Sequence, residues 1–241
     1  MKKILYPSSS RGHANHGWLN THHSFSFANW FNPDQMHFGA LRVLNDDEIA
    51  GGMGFGTHPH KDMEIVTIPL EGDLEHKDSM GNSGVIKAGD VQVMSAGTGI
   101  EHSEFNHNKD EACKLLQIWV FPRKKHVEPR YDQITLDQSK MKNQFSQVVS
   151  PNQNDEGVWV HQNTWFHLAE LDDGKSIDYK VKGGANNGVY FFLLEGRVNV
   201  GDETLNKRDA VGIWDTKSIP VEATEKSKLL AIEIPMENWE D

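Results

Sequence analysis

The sequence runs to 241 residues, of which 37% are hydrophobic, 9% aromatic and 24% charged, enough for one large core or two smaller ones. Its 24 basic and 35 acidic side chains leave a net charge of -11, which repels phosphate backbones and argues against direct nucleic-acid binding. No run approaches the roughly 18 to 20 apolar residues of a membrane helix, and Ile4-Leu5-Tyr6, the apolar stretch after Met1-Lys2-Lys3, is too short for a secretion signal.

In chain order, the first stretch with helical character spans residues 29–35. Strand patterns follow at Glu64-Ile65-Val66-Thr67-Ile68, Val91-Gln92-Val93-Met94 and Leu115-Leu116-Gln117-Ile118-Trp119-Val120. Cys113, the single cysteine, has no partner for an intrachain disulfide and fits a reducing, cytoplasmic setting. The basic cluster Arg123-Lys124-Lys125 reads as a solvated turn, and residues 136–143 as a second short helix. Further strands are expected at residues 189–194, Val198-Asn199-Val200, Val211-Gly212-Ile213-Trp214 and residues 229–234. Short runs rich in β-branched and aromatic residues, bounded by turn formers, predict an all-β sandwich or barrel.

A repeat divides the chain. Leu70-Glu71-Gly72-Asp73-Leu74 returns 124 residues later as Leu194-Glu195-Gly196-Arg197-Val198. A second strand is expected downstream in each copy, at Ile86-Lys87-Ala88-Gly89-Asp90-Val91 and at Leu205-Asn206-Lys207-Arg208-Asp209-Ala210. A period this long predicts a duplicated β-domain rather than a solenoid. The join is placed near residues 130–142, giving domains 1–132 and 133–241.

Of the 13 histidines, 11 fall within the first 126 residues. Two motifs stand out, Thr57-His58-Pro59-His60 and Glu101-His102-Ser103-Glu104. Residues i and i+2 of a strand share a face, so His58 points with His60, and His102 with Glu104. Two such strands meeting in a barrel would bring three imidazoles and one carboxylate to one centre, a set suited to a borderline divalent ion. Asp62 and Glu64 continue the alternation from His60. Glu64 then reads as outer support for a ligand, as a fifth ligand or an alternative to Glu104, or as half of a structural ion pair. His22 and His23 point to opposite faces of a strand. His13, His16, His37, His76, His107 and His126 have no partner at ligand spacing and read as turn, surface or supporting residues.

At these residues the chain resembles the pirin family of the cupin superfamily. Gly52, His58-x-His60 and Glu64 resemble the first cupin motif; Gly89, Ser95-x-Gly97, His102 and Asn106 resemble the second. The longer gap from Glu64 to Gly72, Ser95 in place of a common proline, and the late His102 match the pirin version. Phe38-Gly39-Ala40-Leu41-Arg42-Val43-Leu44-Asn45 and Ala96-Gly97-Thr98-Gly99-Ile100-Glu101 match it too. The resemblance is dense from about Arg11 to Tyr131 and thin thereafter.

The resemblance implies two cupin barrels, with His58, His60, His102 and Glu104 holding one metal in the N-terminal one. That metal would be Fe(II), with Mn, Ni, Cu, Co or Zn as substitutes. The second half has no His-x-His or His-x-Glu and is expected to be metal-free. The implied activity is quercetin 2,3-dioxygenase: a flavonol or related phenol and O2 enter, the heterocycle opens and carbon monoxide leaves. Three neutral imidazoles and one carboxylate leave a divalent site at +1, which favours an anionic oxygen ligand. Glu104 is the candidate acceptor of the substrate's hydroxyl proton. Two alternatives stay open: a non-catalytic, redox-sensing pirin that binds a regulatory protein partner, and a closed structural zinc site.

Overall fold

A computed structural model of the chain describes residues 1–237. Among these the fold is nearly all antiparallel β-sheet, and the helical pieces are single turns at Ser8–Ser10, Gln138–Met141 and Gly184–Asn186. Among the described residues no helix is long and apolar enough to cross a membrane. The helix expected over residues 29–35 is instead a tight turn, in which Phe27 and Trp30 bond each other's backbone and Ala28 sits at φ 50°. Asn32 caps the backbone N–H of Asp34, a local side-chain bond that competes with helix formation. The second expected helix contracts to one turn, begun by Asp137 capping Ser139 and ended by Asn143 at φ 56°.

Four sheets form two pairs. In the first half a seven-stranded sheet runs, in spatial order, Arg130–Thr135, Asp90–Ser95, Glu64–Glu71, Cys113–Val120, Leu41–Ile49, Leu19–His23 and Gly12–Asn15. It faces a four-stranded sheet of Gly54–His60, Ile100–Asn106, Asp73–Asp78 and Ser83–Lys87. The second half repeats the plan. Its larger sheet runs Lys2–Tyr6, Ala210–Trp214, Asn187–Glu195, Ser227–Pro235, Trp165–Leu171, Ser146–Ser150 and Val158–Trp159. Its smaller sheet is Ser176–Lys180, Ser218–Ala223, Arg197–Val200 and Glu203–Asn206.

The sequence repeat is therefore a structural one. Each copy turns a hairpin at its glycine, Gly72 at φ 75° and Gly196 at φ 85°. A Cβ there would meet Cys113 or Ser227 backbone at 3.2 and 2.8 Å, so both conformation and space call for glycine. The downstream segment read as one strand is, in both copies, a turn between two strands. Asp90 accepts from Lys87 N and Asp209 from Asn206 N, each at 2.9 Å, which closes the same turn twice.

The division at 132/133 departs from the strand pairing in two places. It cuts the strand Arg130–Thr135, and the N-terminal strand Lys2–Tyr6 pairs with Ala210–Trp214 on the edge of the second half's sheet. The two large sheets also share one core. Tyr190 of the second half lies 5.4, 5.6 and 5.7 Å from the rings of Tyr6, Phe25 and Phe38. Each half then encloses an interior of its own. The second is packed with 16 buried apolar residues, among them Phe191, Val200, Val211, Ile219 and Val221. The equivalent cluster of the first has six, which leaves its interior to polar groups.

Candidate metal centre

Strands Gly54–His60 and Ile100–Asn106 pair antiparallel with His58 directly opposite His102, and a bulge after His102 sets Glu104 opposite Phe55. Side-chain alternation then turns His58, His60 and His102 to one side. Their ring centroids lie 4.4 to 4.9 Å apart, and the Nε2 atoms of His60 and His102 are 3.0 Å apart. One nitrogen from each ring falls within 4.8 Å of the other two. Burial, reinforced by His58, pushes His60 down to about 4. His102, more deeply placed and facing three other imidazoles, falls to about 2. Both rings are neutral at pH 7 and offer lone pairs.

Glu104 is 1% exposed, and its Oε2 accepts from Gln117 Nε2 at 2.7 Å. Its Oε1 is buried with no hydrogen-bond partner. Burial pushes the carboxyl up to about 7, and nearby Asp47 adds to the rise. A buried carboxylate oxygen with nothing to bind is costly, and a cation would satisfy it. The structure does not gather all four expected residues within 4.8 Å: Glu104 groups with His102 and His76, while His58 and His60 group with His102. His102 is common to both clusters.

His76 is the residue that spacing along one strand does not reveal. It is fully buried and lies opposite Glu104 on the neighbouring strand Asp73–Asp78. Its Nδ1 faces Gln92 Nε2 at 3.2 Å and its Nε2 faces Asp78 Oδ2 at 3.2 Å. The amide donates to Nδ1, so the ring carries its proton on Nε2, toward the carboxylate. His102 Nδ1 stands 3.5 Å from His76 Nδ1, which leaves His102 Nε2 turned to His60. Leu74, His76 and Asp78 alternate inward, the signal that could have identified it.

Asp62 and Glu64 do not extend the cluster. Asp62 adopts φ 47° and breaks the strand after His60, so alternation does not carry through to Glu64. Glu64 instead accepts from Ser95 Oγ at 2.7 Å and His161 N at 3.1 Å, with the Arg130 charge nearby, and ties the halves together. His22 stacks on His13 on one face of its strand, while His23 on the other bonds Asn45 at 2.8 Å.

His58 and His60 open into a cavity of about 620 Å³ walled by Trp18, Phe27, Trp30, Phe55 and Trp119. Exposed His13 and His16 and buried His23 line it as well. The second half has a comparable hollow of about 770 Å³, but not the same donors. Asn106 opposite Leu74 matches Ala223 opposite Val198. Counting back from there, Ile219 and Val221 stand where the first half has His102 and Glu104. Tyr179, opposite Ile219, takes the place of His58, and Val181 that of His60.

Comparison with known proteins agrees with this geometry. Residues 6–120 match the Pirin family model and residues 147–234 the quercetinase C-terminal cupin domain. The chain is 44% identical to the quercetin 2,3-dioxygenase of Escherichia coli K12 across 96% of this chain and 98% of that protein. A pirin-like protein of Caulobacter vibrioides is 37% identical over 94% of this chain and 97% of its own. The crystal structure of the E. coli pirin YhhW in complex with nickel(II) superposes with a TM-score of 0.91 at 40% identity, covering 97% of this chain and 99% of that one. With two cupin barrels and these relatives along nearly its whole length, the chain belongs to the pirin family.

Proposed function

We propose that this pirin is a metal-dependent dioxygenase that cleaves a flavonol such as quercetin, or a related enolic or phenolic compound, with O2. His58, His60, His102 and Glu104 would hold one divalent transition metal, Fe(II) in the first instance, with Mn, Ni, Cu, Co or Zn as alternatives. The observation that carries this reading is the convergence of three imidazoles, two of which line an aromatic-walled cavity, near a buried carboxylate oxygen that lacks a partner. When bound, such an ion supplies a centre of net charge +1 that favours an anionic substrate oxygen beside dioxygen.

The protein's own groups do the rest. Neutral His60 and His102 present lone pairs at neutral pH, and His76 holds the proton pattern of His102. Gln117 anchors Glu104 through Oε2 and leaves Oε1 free for the ion, and Glu104 would be the acceptor of the substrate's hydroxyl proton. The ring walls stack a planar substrate and exclude water. His58 and His60 face the cavity, so the arrangement is open rather than enclosed, unlike a structural zinc site. The names of the E. coli relative and of nickel-bound YhhW support the reading.

Metal analysis of untagged protein, followed by oxygen uptake with quercetin, tests it. One equivalent of metal and uptake with release of carbon monoxide are expected. Uptake no faster than in chelator-stripped protein would overturn the activity.

A further inference from the structure

We infer that the hollow of the second half is a binding site for a small hydroxylated aromatic acid, separate from the candidate metal centre. Strand register identifies this hollow with the mouth of the first barrel. Asn45, opposite Gln117, lines the cavity of the first half; His167, opposite Ala231, lines the hollow of the second in the matching place. Tyr179, the counterpart of His58, lines it too. The duplicated scaffold keeps its opening and changes the groups that face it.

A buried chain of hydrogen bonds fixes those groups. Glu233 is fully buried and accepts from Lys182 N, Gly183 N, Asn187 Nδ2 and, at 3.0 Å, the Tyr179 hydroxyl. With its proton directed to Glu233, the Tyr179 oxygen accepts from His167 Nδ1, 3.1 Å away. His167 therefore carries its proton on Nδ1 and a lone pair on Nε2. Burial, reinforced by the Lys182 charge, pushes this ring down to about 3, so it is neutral at pH 7. His167 is 4% exposed, and its Nε2 has no hydrogen-bond partner among the described residues, yet it is not sealed inside the core. An idle acceptor at the edge of a hollow calls for a donor such as a ligand hydroxyl.

The surrounding wall sets the rest of the ligand. Gln147 lies opposite His167, and its Oε1 accepts from the Lys182 ammonium. Lys140 is paired with Glu156 and Lys180 with Asp178, whereas Lys182 has no carboxylate partner among the described residues. It is the wall's available charge for an anion. Phe145, edge-on to Tyr179 at 5.0 Å, and Ile177 supply an apolar surface for a flat ring. Hydroxyl, ring and carboxylate together describe a phenolic acid.

Calorimetry on nickel-loaded protein, with benzoate and the three hydroxybenzoate isomers, tests this. At least one isomer is expected to bind about tenfold tighter than benzoate, the scale of one hydrogen bond to a buried group. His167→Asn places an amide N–H where Nδ1–H stood, which keeps the bond to Tyr179 and removes the acceptor. It should bring that isomer and benzoate within about twofold. His167→Gln keeps an acceptor where Nε2 stood and should retain most of the preference. Lys182→Met should weaken both ligands, and by less in high salt. His58→Ala, which alters only the first barrel's cavity, should bind them as the wild type does. Absence of binding by every isomer, a preference that survives His167→Asn, or binding lost in His58→Ala would each overturn the assignment. None of these results bears on the dioxygenase reading.

Discussion

Replacing Glu104 by glutamine should stabilise the metal-free protein and at the same time remove its capacity for metal. Burial holds the carboxyl at about 7, against 4.5 for an ordinary glutamate. Between those values the folded chain keeps a proton that the unfolded chain has released. Stability therefore falls as pH rises through this window, by about 3 kcal/mol once pH exceeds 7. At pH 5 the loss is only about 1 kcal/mol. The substituted amide would carry no charge to desolvate and could still accept from Gln117. The advantage of Glu104→Gln over wild type should thus grow by about 2 kcal/mol between pH 5 and pH 8. Any constant difference in packing drops out of that comparison, and so does Glu64, which rises to about 7 in both proteins; loss of the Glu104 charge also relieves nearby Asp47, which acts in the same direction. Urea unfolding in the presence of chelator, at the two pH values, measures it. An advantage constant to within about 0.5 kcal/mol would show that Glu104 bears no ionisation cost, and the argument from its orphaned oxygen would fail. Adding nickel(II) at pH 8 should reverse the ranking, because only the wild type gains a carboxylate–metal bond.

Three further outcomes follow from the same geometry. His58→Ala and His102→Ala should each lose stoichiometric metal on dialysis, read by elemental analysis, while far-UV circular dichroism stays that of a β-protein. His76→Gln leaves His58, His60, His102 and Glu104 in place but withdraws the ring facing His102 Nδ1; competition titration should show metal affinity lowered by about 10- to 100-fold. Phe166→Ala opens the core shared by the two large sheets, where Phe166 is fully buried, and should cost about 3 to 5 kcal/mol in urea unfolding.

The strand interiors and the ligand pairs are legible in the sequence because they are written in local alternation. Glu64–Glu71 and Cys113–Val120 each contain the apolar run that identifies them, and His58 and His60 share a face by counting alone. What escapes such reading depends on contacts between segments distant in sequence. His76 takes its place from Glu104 across the sheet, 28 positions further along the chain. Lys2–Tyr6 joins a strand more than 200 residues away, which no local pattern encodes. Glu64 is misplaced by alternation for a different reason. Two-residue periodicity holds only while the backbone stays extended, and Asp62 at φ 47° interrupts it. The Asn-Pro-Asp segment over 32–34 likewise carries a turn signal that outweighs its helical spacing.

The duplication separates what the scaffold provides from what the chemistry requires. Around the first half's histidines stand Thr67, Gln92 and Gln117, paired across neighbouring strands; their counterparts in the second half are Phe191, Val211 and Ala231. His76 has Val200 in the matching place. The two interiors thus differ at the four candidate ligand positions and at the polar side chains just named, while the second keeps a buried polar group of its own in Tyr179, His167 and Glu233. Ligands alone would not make a centre in the second barrel, because imidazoles set among Val200, Val211 and Phe191 would find no partner to fix their protons. An apolar interior, in turn, contributes hydrophobic stabilisation that the first barrel forgoes by burying Glu104, His76 and Gln92. The common core of Phe166, Tyr190 and Phe192 against Phe25, Phe38 and Leu41 offsets that loss by joining a well-packed barrel to a polar one. On this reasoning the C-terminal half serves the site without touching it: it stabilises a fold whose other half is free to keep its interior reactive.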